Sequence, residues 1–334
     1  MHVDRDIVLE VKGLSHGFGA SHVLFDINLE IVRGEILALV GPSGCGKSTF
    51  FRAVVGTHPP RQGQLTVYTH TDNGGVESKP ITGPGRDRGI VYQQYSLFPF
   101  LTAQQNVAFG LMLDQTNVPF RMLRPLAWRR LRKKHMAMAA EFLDQVGLGH
   151  ALKLYPANMS GGMRQRVAVA QALIMKPEIV LLDEPFGALD EATREELQDM
   201  LLTLYFDNCR ASKQGQRPPY TIVIVTHEIN EAILVGDRVV GVTQQWDWKA
   251  EGHAACPGAT IVYDKAAPVE LPNQERHYEA YAQQRREIRD TVFEPKTPVP
   301  RTQHQTFWDQ VKAGEAEGIF GGTLVARKAV GSPL

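Results

Sequence analysis

The eight residues from Gly41 to Ser48 have the spacing Gly-x-x-x-x-Gly-Lys-Ser of a phosphate-binding loop, or P-loop. They directly follow the apolar run Ile36–Val40, which is the strand that such a loop requires. Glycines let the backbone curl until its N–H groups point at one anion, and the helix that follows adds the positive end of its dipole. The pattern predicts a nucleotide phosphate site, in which Lys47 reaches the β- and γ-phosphates and the Ser48 hydroxyl ligates Mg²⁺. The alternative is a glycine-rich turn without a ligand.

A second apolar run, at residues 179–182, ends in the adjacent carboxylates Asp183 and Glu184. Because side chains alternate along a strand, the two carboxylates face different surroundings. We expect Asp183 near the metal ion, usually through water, and Glu184 directed at the γ-phosphate, where it orients or deprotonates the attacking water. A solvated strand end is the alternative, but beside a P-loop the pair predicts nucleotide hydrolysis.

Residues 160–162, Ser-Gly-Gly, precede a predicted helix with Val167, Ala170 and Ile174 on one face. A phosphate can lie at the beginning of such a helix. Because the chain already has a complete P-loop, this second phosphate site would be redundant unless it caps a nucleotide bound to another copy of the chain.

These motifs, together with the segment Gly187 to Asp190 and His227, occur in an order that resembles the ATP-binding cassette (ABC) ATPases. The resemblance covers roughly residues 7–245, and the Ser-Gly-Gly signature separates this family from other P-loop ATPases. It implies an α/β fold: a P-loop NTPase cassette with a parallel-sheet core, an N-terminal antiparallel β part and an inserted helical subdomain, here followed by a C-terminal extension. It also implies that two copies pack head to tail and trap two ATP molecules with Mg²⁺, each between the P-loop of one copy and Ser160 of the other.

The resemblance assigns roles to single residues. Phe18 stacks on adenine, although an aromatic residue here is also compatible with the core. Gln93 contacts Mg²⁺ and links the site to a membrane subunit, with Gln94 as the alternative, and His227 holds the γ-phosphate and helps Glu184 to fix the water. The implied metal ligands are Ser48, Gln93 and Asp183. The implied nucleotide-binding residues are Phe18, Gly41, Ser43, Gly44, Cys45, Gly46, Lys47, Ser48, Thr49, Gln93, Ser160, Gly161, Gly162 and Asp190.

Short β-rich runs alternate with helical patterns from residue 7 to about residue 243, which predicts βα units and a largely parallel sheet. Between Thr102 and Ala172 only helical periodicity is found, beginning with a capping box at Thr102 and Gln105. We therefore predict an ABC ATPase domain at 1–258, with a helical subdomain at about 102–172, and a C-terminal extension at 259–334. The extension contains a charged helix near 273–292, and a turn is predicted at Asn73-Gly74-Gly75. The predicted strands are 27–31, 35–40, 64–68, 88–92, 178–183, 221–226 and 238–242.

Composition excludes several classes of protein. The 36 Lys and Arg residues balance the 36 Asp and Glu residues, so the chain has no basic excess with which to coat nucleic acid. No apolar run approaches the ~20 residues of a membrane span, and the N-terminus lacks the apolar segment of a secretory signal. The three cysteines have neither a disulfide nor a zinc-site spacing, so we expect reduced thiols and a cytoplasmic protein.

The signature differs from the commonest family form, because Met159 stands in place of leucine and Met163 in place of glutamine. Met163, together with residues 82–89, is similar to the nitrate, sulfonate and taurine importer branch. This similarity implies the ATPase of an importer, peripheral on the inner face of the cell membrane, with integral-membrane permease subunits as partners and, indirectly, a solute-binding protein. The alternatives are an exporter motor, which differs only in its partner, and an ABC ATPase of DNA repair or ribosomes. Members of the last class usually carry two cassettes, long coiled coils or zinc inserts, none of which is seen here.

A basic stretch lies within the predicted helical subdomain, with Leu123, Leu126, Trp128 and Leu131 among its charges. One interpretation is a solvated helix face. The other is that it approaches anionic lipid headgroups or the permease, because each basic residue near such a surface adds ~1 kcal/mol. The basic residues are Arg121, Arg124, Arg129, Arg130, Arg132, Lys133 and Lys134.

Overall fold

The structure is a computed structural model that describes residues 5–71, 75–94, 96–187, 189–268 and 278–314. The strands are β1 (Ile7–Phe18), β2 (Ser21–Val32), β3 (Ile36–Val40), β4 (Gln62–His70), β5 (Val76–Pro80), β6 (Arg88–Val91), β7 (Ile179–Asp183), β8 (Ile222–Thr226), β9 (Arg238–Thr243) and β10 (Thr260–Ala266). The helices are α1 (Lys47–Val55), α2 (Ala103–Gln115), α3 (Val118–Leu123), α4 (Pro125–Gln145), α5 (Gly161–Leu173), α6 (Glu191–Lys213), α7 (Ile229–Val235), α8 (Tyr278–Ile288) and α9 (Phe307–Ala313). The predicted turn at Asn73 and Gly74 and the predicted beginning of the charged C-terminal helix lie outside the described residues. The chain divides into two compact units, one of residues 1–85 and 205–334 and the other of residues 86–204.

The first unit contains an antiparallel sheet in the order β2-β1-β4-β5. This confirms the predicted N-terminal antiparallel part. Strands β1 and β5 were not predicted. Register shifts along the β1–β2 pair interrupt the alternation of apolar and polar residues in β1, and every residue of β5 is exposed. Both features remove the periodicity by which a strand is recognised.

The parallel part of the first unit has β3 at its centre. Strand β3 pairs in parallel with β8 and with β9, and β10 pairs with β9 in the antiparallel direction. All five residues of β3 and all five of β8 are buried, as expected of strands that are covered on both faces. Val40 lies opposite Thr226, so the segments after β3 and β8 leave the sheet at the same edge.

The C-terminal segment of the first unit contributes to its core. Ile288 and Val292 are fully buried with Val40 and Val239 of the parallel strands. Phe307 and Trp308 at the beginning of α9 are buried in a second cluster with Val32.

The second unit contains the parallel pair β6 and β7 and the helices between them. No strand occurs between Val91 and Ile179 in the described residues, and α2 packs against α4 and α5. The predicted capping box is present, because the Thr102 hydroxyl accepts the N–H of Gln105 and the Gln105 side chain accepts the N–H of Thr102. Over the described part of the chain, no helix is both long enough and apolar enough to cross a membrane.

Candidate functional site

The P-loop lies in the first unit, between buried β3 and the beginning of α1. Gly46 adopts φ of 101°, in the left-handed region that favours glycine. A Cβ added at Gly41 would lie 2.2 Å from the carbonyl oxygen of Val242, so this position also requires glycine. Ser43 and Gly44 are exposed, and the first N–H groups of a helix have no partner within it. The loop therefore has the curvature and the donors that a phosphate requires.

Lys47 is held against the loop. Its Nζ donates to the carbonyl oxygens of Gly41 at 2.7 Å and of Pro42 at 3.0 Å, and the residue is 6% exposed. Neighbouring Cys45 is buried, and burial raises the pKa of its thiol, so the thiol stays protonated. Ser48 and Thr49 occupy the first turn of α1, with Ser48 exposed.

His227 directly follows β8, so it leaves the same sheet edge as the P-loop. Its imidazole is partly exposed, and Nε2 lies 3.8 Å from a carboxylate oxygen of Glu228. Ligands of α/β proteins bind at this edge, outside the carboxyl ends of parallel strands.

Phe18 ends β1 and is 49% exposed. Its ring meets His16 edge to face at a centroid distance of 5.1 Å and His58 at 6.1 Å. Burial lowers the pKa of His16, which favours its neutral form. The supported, half-exposed ring can stack on a base. Sequence reasoning missed His58, because no motif links it to β1.

The second unit brings Gln93 and Glu184 together at the ends of β6 and β7. The Gln93 side-chain amide donates from Nε2 to Oε2 of Glu184 at 3.3 Å. Glu184 adopts φ of 46°, a left-handed conformation that costs a residue with a side chain about 1–3 kcal/mol. Such strain concentrates at functional sites. Asp183 is the last residue of β7, directly before this bend.

The Ser-Gly-Gly segment begins α5. Ser160 is the N-cap, and its hydroxyl accepts the N–H of Met163 at 3.2 Å. A Cβ added at Gly162 would lie 1.8 Å from Cγ2 of Thr193 in α6, so glycine allows the two helices to approach closely. Ser160 itself is exposed beside this contact.

Asp190 lies before α6, where it caps the helix. It accepts the Thr193 N–H at 3.0 Å and the Thr193 hydroxyl at 2.8 Å. These two hydrogen bonds, the backbone one first, lower the pKa of Asp190 and keep it ionised. Thr193 therefore packs against Gly162 and donates hydrogen bonds to Asp190. Sequence reasoning missed this role. Ala188 of the same motif lies outside the described residues.

Comparison with known proteins agrees with this arrangement. The family model described as ABC transporter matches residues 24–187. The bicarbonate transport ATP-binding protein CmpC of Synechococcus elongatus is 42% identical over 217 residues, which cover 65% of this chain but only 28% of CmpC. The nitrate import ATP-binding protein NrtD of Synechocystis is 37% identical over 235 residues, which cover 69% of this chain and 76% of NrtD.

Among solved structures, the chain is similar to the ATP-binding cassette MJ0796, determined as a dimer in a post-hydrolysis state with ADP and Pi. The TM-score is 0.51 with 29% identity, over 70% of this chain and 93% of that cassette. Sequence, fold and the order of the motifs agree: the chain belongs to the ABC transporter family of ATP-binding proteins.

Proposed function

We propose that this chain is the ATP-hydrolysing subunit of an ABC importer. The observation that carries the proposal is the hydrogen bond between Gln93 and Glu184 at the ends of β6 and β7. The bond restrains the Glu184 carboxylate, and the Glu184 backbone has the left-handed conformation that concentrates at functional sites. A hydrolytic site needs such a positioned carboxylate to fix water. The P-loop of the first unit supplies the lysine and the N–H groups that a triphosphate requires.

In this proposal the Glu184 carboxylate accepts a hydrogen bond from water and orients its oxygen toward the γ-phosphorus. The new P–O bond forms as the bond to the β–γ bridging oxygen breaks, and the water proton passes to Glu184 or to the released phosphate. Ser48, Gln93 and Asp183 would hold Mg²⁺, which would neutralise charge on the phosphates. His227 holds the γ-phosphate.

Two copies are proposed to bind ATP head to tail. Ser160 at the N-terminus of α5 would contact the nucleotide bound by the P-loop of the second copy, with Asp190 close to that interface. The exposure of Ser160 and the contact of both segments with Thr193 support this role. The dimeric MJ0796 cassette is a precedent for such an arrangement.

Phosphate release from ATP tests the chemistry. Glu184→Gln should lower kcat by about a hundredfold or more while ATP binding persists, because the side chain keeps its shape and loses its basicity. Lys47→Ala should lower ATP affinity as well as turnover. The matched control is Glu195→Gln, the same change at an exposed position of α6. Wild-type turnover in Glu184→Gln would refute the assignment of the water-positioning carboxylate.

The transported solute is proposed to be a small anion or organosulfur compound such as nitrate, sulfonate or taurine, moved by permease subunits that receive it from a solute-binding protein. CmpC and NrtD, named for bicarbonate and nitrate, support a small oxyanion. The chain is proposed to lie peripherally on the inner face of the cell membrane. Purification of the tagged chain from gently solubilised native membranes should recover a multi-span permease, which would support the transport assignment. Recovery of ribosomal or DNA-repair proteins alone would refute the importer assignment while leaving the ATPase chemistry intact.

A further inference from the structure

Large apolar side chains are exposed together at α3 and the beginning of α4, in the second unit. Leu123 is 81% exposed, Met122 75%, Leu126 74% and Val118 64%. Single exposed apolar residues are ordinary, but a contiguous group marks an interaction surface.

The same segment is strongly basic. No Asp or Glu occurs between residues 115 and 140, whereas seven Lys and Arg residues do. Arg121 has an internal role, because it donates to the Met112 carbonyl oxygen at 2.8 Å and to the Thr116 hydroxyl at 2.9 Å, and it lies over the Trp128 ring at 4.9 Å. The other six are exposed and form no ion pair with the residues that the structure describes: Arg124, Arg129, Arg130, Arg132, Lys133 and Lys134.

Helix geometry places apolar and basic side chains on the same exposed side of α4. The buried side of α4 contains His135, Ala139 and Leu143, spaced four residues apart. Leu126, Arg130 and Lys133 follow at i, i+4 and i+7 on the exposed side. We call the exposed residues of 118–134 the basic apolar surface.

We propose that the basic apolar surface binds the anionic lipid face of a membrane. Its apolar side chains can enter the boundary between headgroups and acyl chains, while the long basic side chains extend to the lipid phosphates. Charge favours lipid over permease as the occupant. The cytoplasmic loops of membrane proteins carry an excess of Lys and Arg and would repel six cations, whereas anionic headgroups attract them.

The contact goes beyond the proposed function, because it requires neither ATP nor a permease. Flotation of the full chain with vesicles tests it, using phosphatidylcholine alone or with about one third phosphatidylglycerol at low salt. Binding should occur only to the anionic vesicles and weaken as salt is raised, because salt screens the attraction. Each basic residue near such a surface contributes about fivefold to binding, so Arg129→Gln/Arg130→Gln/Lys133→Gln should bind about a hundredfold more weakly.

The matched control removes three exposed charges of the first unit, Lys213→Gln/Arg217→Gln/Lys296→Gln, and should keep wild-type binding. Leu123→Ser/Leu126→Ser should also weaken binding without any change of charge. Thermal unfolding of each variant checks folding.

Equal binding to both vesicle types, or an equal loss in the control, would overturn the proposal. If the wild-type chain ignores vesicles while the triple variant no longer co-purifies with a permease, the surface docks protein and the lipid proposal is wrong. The vesicle contact requires no ATP, so a chain that fails to hydrolyse ATP can still bind anionic vesicles. The proposed function and the lipid proposal therefore fail separately.

Discussion

Replacement of Arg238 by methionine tests whether buried charges attach the C-terminal segment to the central sheet. Arg238 in β9 is 1% exposed and donates to both carboxylate oxygens of Asp264 in β10, at 2.6 and 2.8 Å. It also donates to Glu35 at 3.0 Å. Although burial alone would lower the pKa of Arg238, the charges of Asp264 and Glu35 outweigh it and raise the pKa. The arginine is therefore charged, and Asp264 in turn accepts the backbone N–H of Phe307 in α9.

Methionine preserves the apolar stem and removes the cation, which leaves two buried carboxylates uncompensated. Removal of one partner from a buried ion pair costs about 3–5 kcal/mol. We expect this loss at neutral pH, measured as the free energy of unfolding in urea. Burial already raises the pKa of Glu35, and removal of Arg238 should raise it further. A carboxyl group with a raised pKa in the folded state stabilises the protein at low pH and loses this effect as pH rises, so the deficit should be smaller at pH 5 than at pH 8.

A double-mutant cycle with Asp264→Asn isolates the interaction, and we expect a coupling energy of about 0.5–3 kcal/mol. Arg210→Gln is the control, because the ion pair of Arg210 with Asp207, at 3.7 Å, is exposed. We expect Arg210→Gln to lower the free energy of unfolding by no more than about 0.5 kcal/mol. A loss below about 1 kcal/mol for Arg238→Met, or strict additivity with Asp264→Asn, would refute the reasoning.

Three further predictions concern single side chains. Thr102→Ala removes the oxygen that accepts the Gln105 N–H, and should lower the free energy of unfolding in urea by about 1 kcal/mol. Burial lowers the pKa of His304, so the wild-type protein should lose stability as pH falls below about 6.5, and the dependence of its Tm on pH should be steeper than that of His304→Gln. Phe18→Ala should lower affinity for a fluorescent ATP analogue about tenfold through loss of stacking, whereas Phe18→Trp should retain it.

Matched controls separate these effects from general damage. Thr203→Ala alters an exposed threonine within α6 and should change stability by less than about 0.5 kcal/mol. His150→Gln alters an exposed histidine and should leave the pH dependence of Tm unchanged. Phe100→Ala removes a 70% exposed ring and should leave nucleotide affinity intact. An equal response of a control would contradict the corresponding prediction.

The elements that could be predicted are those in which neighbours along the chain carry the signal. Strands β3 and β8 are continuous apolar runs, and the capping box of α2 depends on residues three apart. The attachment of α9 could not be predicted. It depends on Asp264 and Arg238, which are 26 residues apart, and on Trp308, whose indole N–H donates to a β2 carbonyl oxygen 278 residues away.

In the candidate site, too, local motifs were predictable and contacts between distant residues were not. Lys47 and Asp183 belong to local motifs, so their types and places in the chain were predictable from spacing. The hydrogen bond between Gln93 and Glu184 joins residues 91 positions apart, and it depends on how β6 and β7 pair. The left-handed backbone conformation of Glu184 could not be predicted from the sequence, because the type of side chain alone does not specify it.

Strand β10 has a consequence for any shortened form of this protein. It pairs along β9 from Thr260 to Ala266, and in the first unit β9 has β3 as its other partner. A chain ended at residue 258 would expose the N–H and C=O groups of β9 as an unprotected sheet edge, and such edges recruit strands from other molecules. Deletion of the C-terminal segment should therefore produce aggregation first, and an insoluble truncated protein would reveal nothing about whether that segment regulates the proposed ATP hydrolysis.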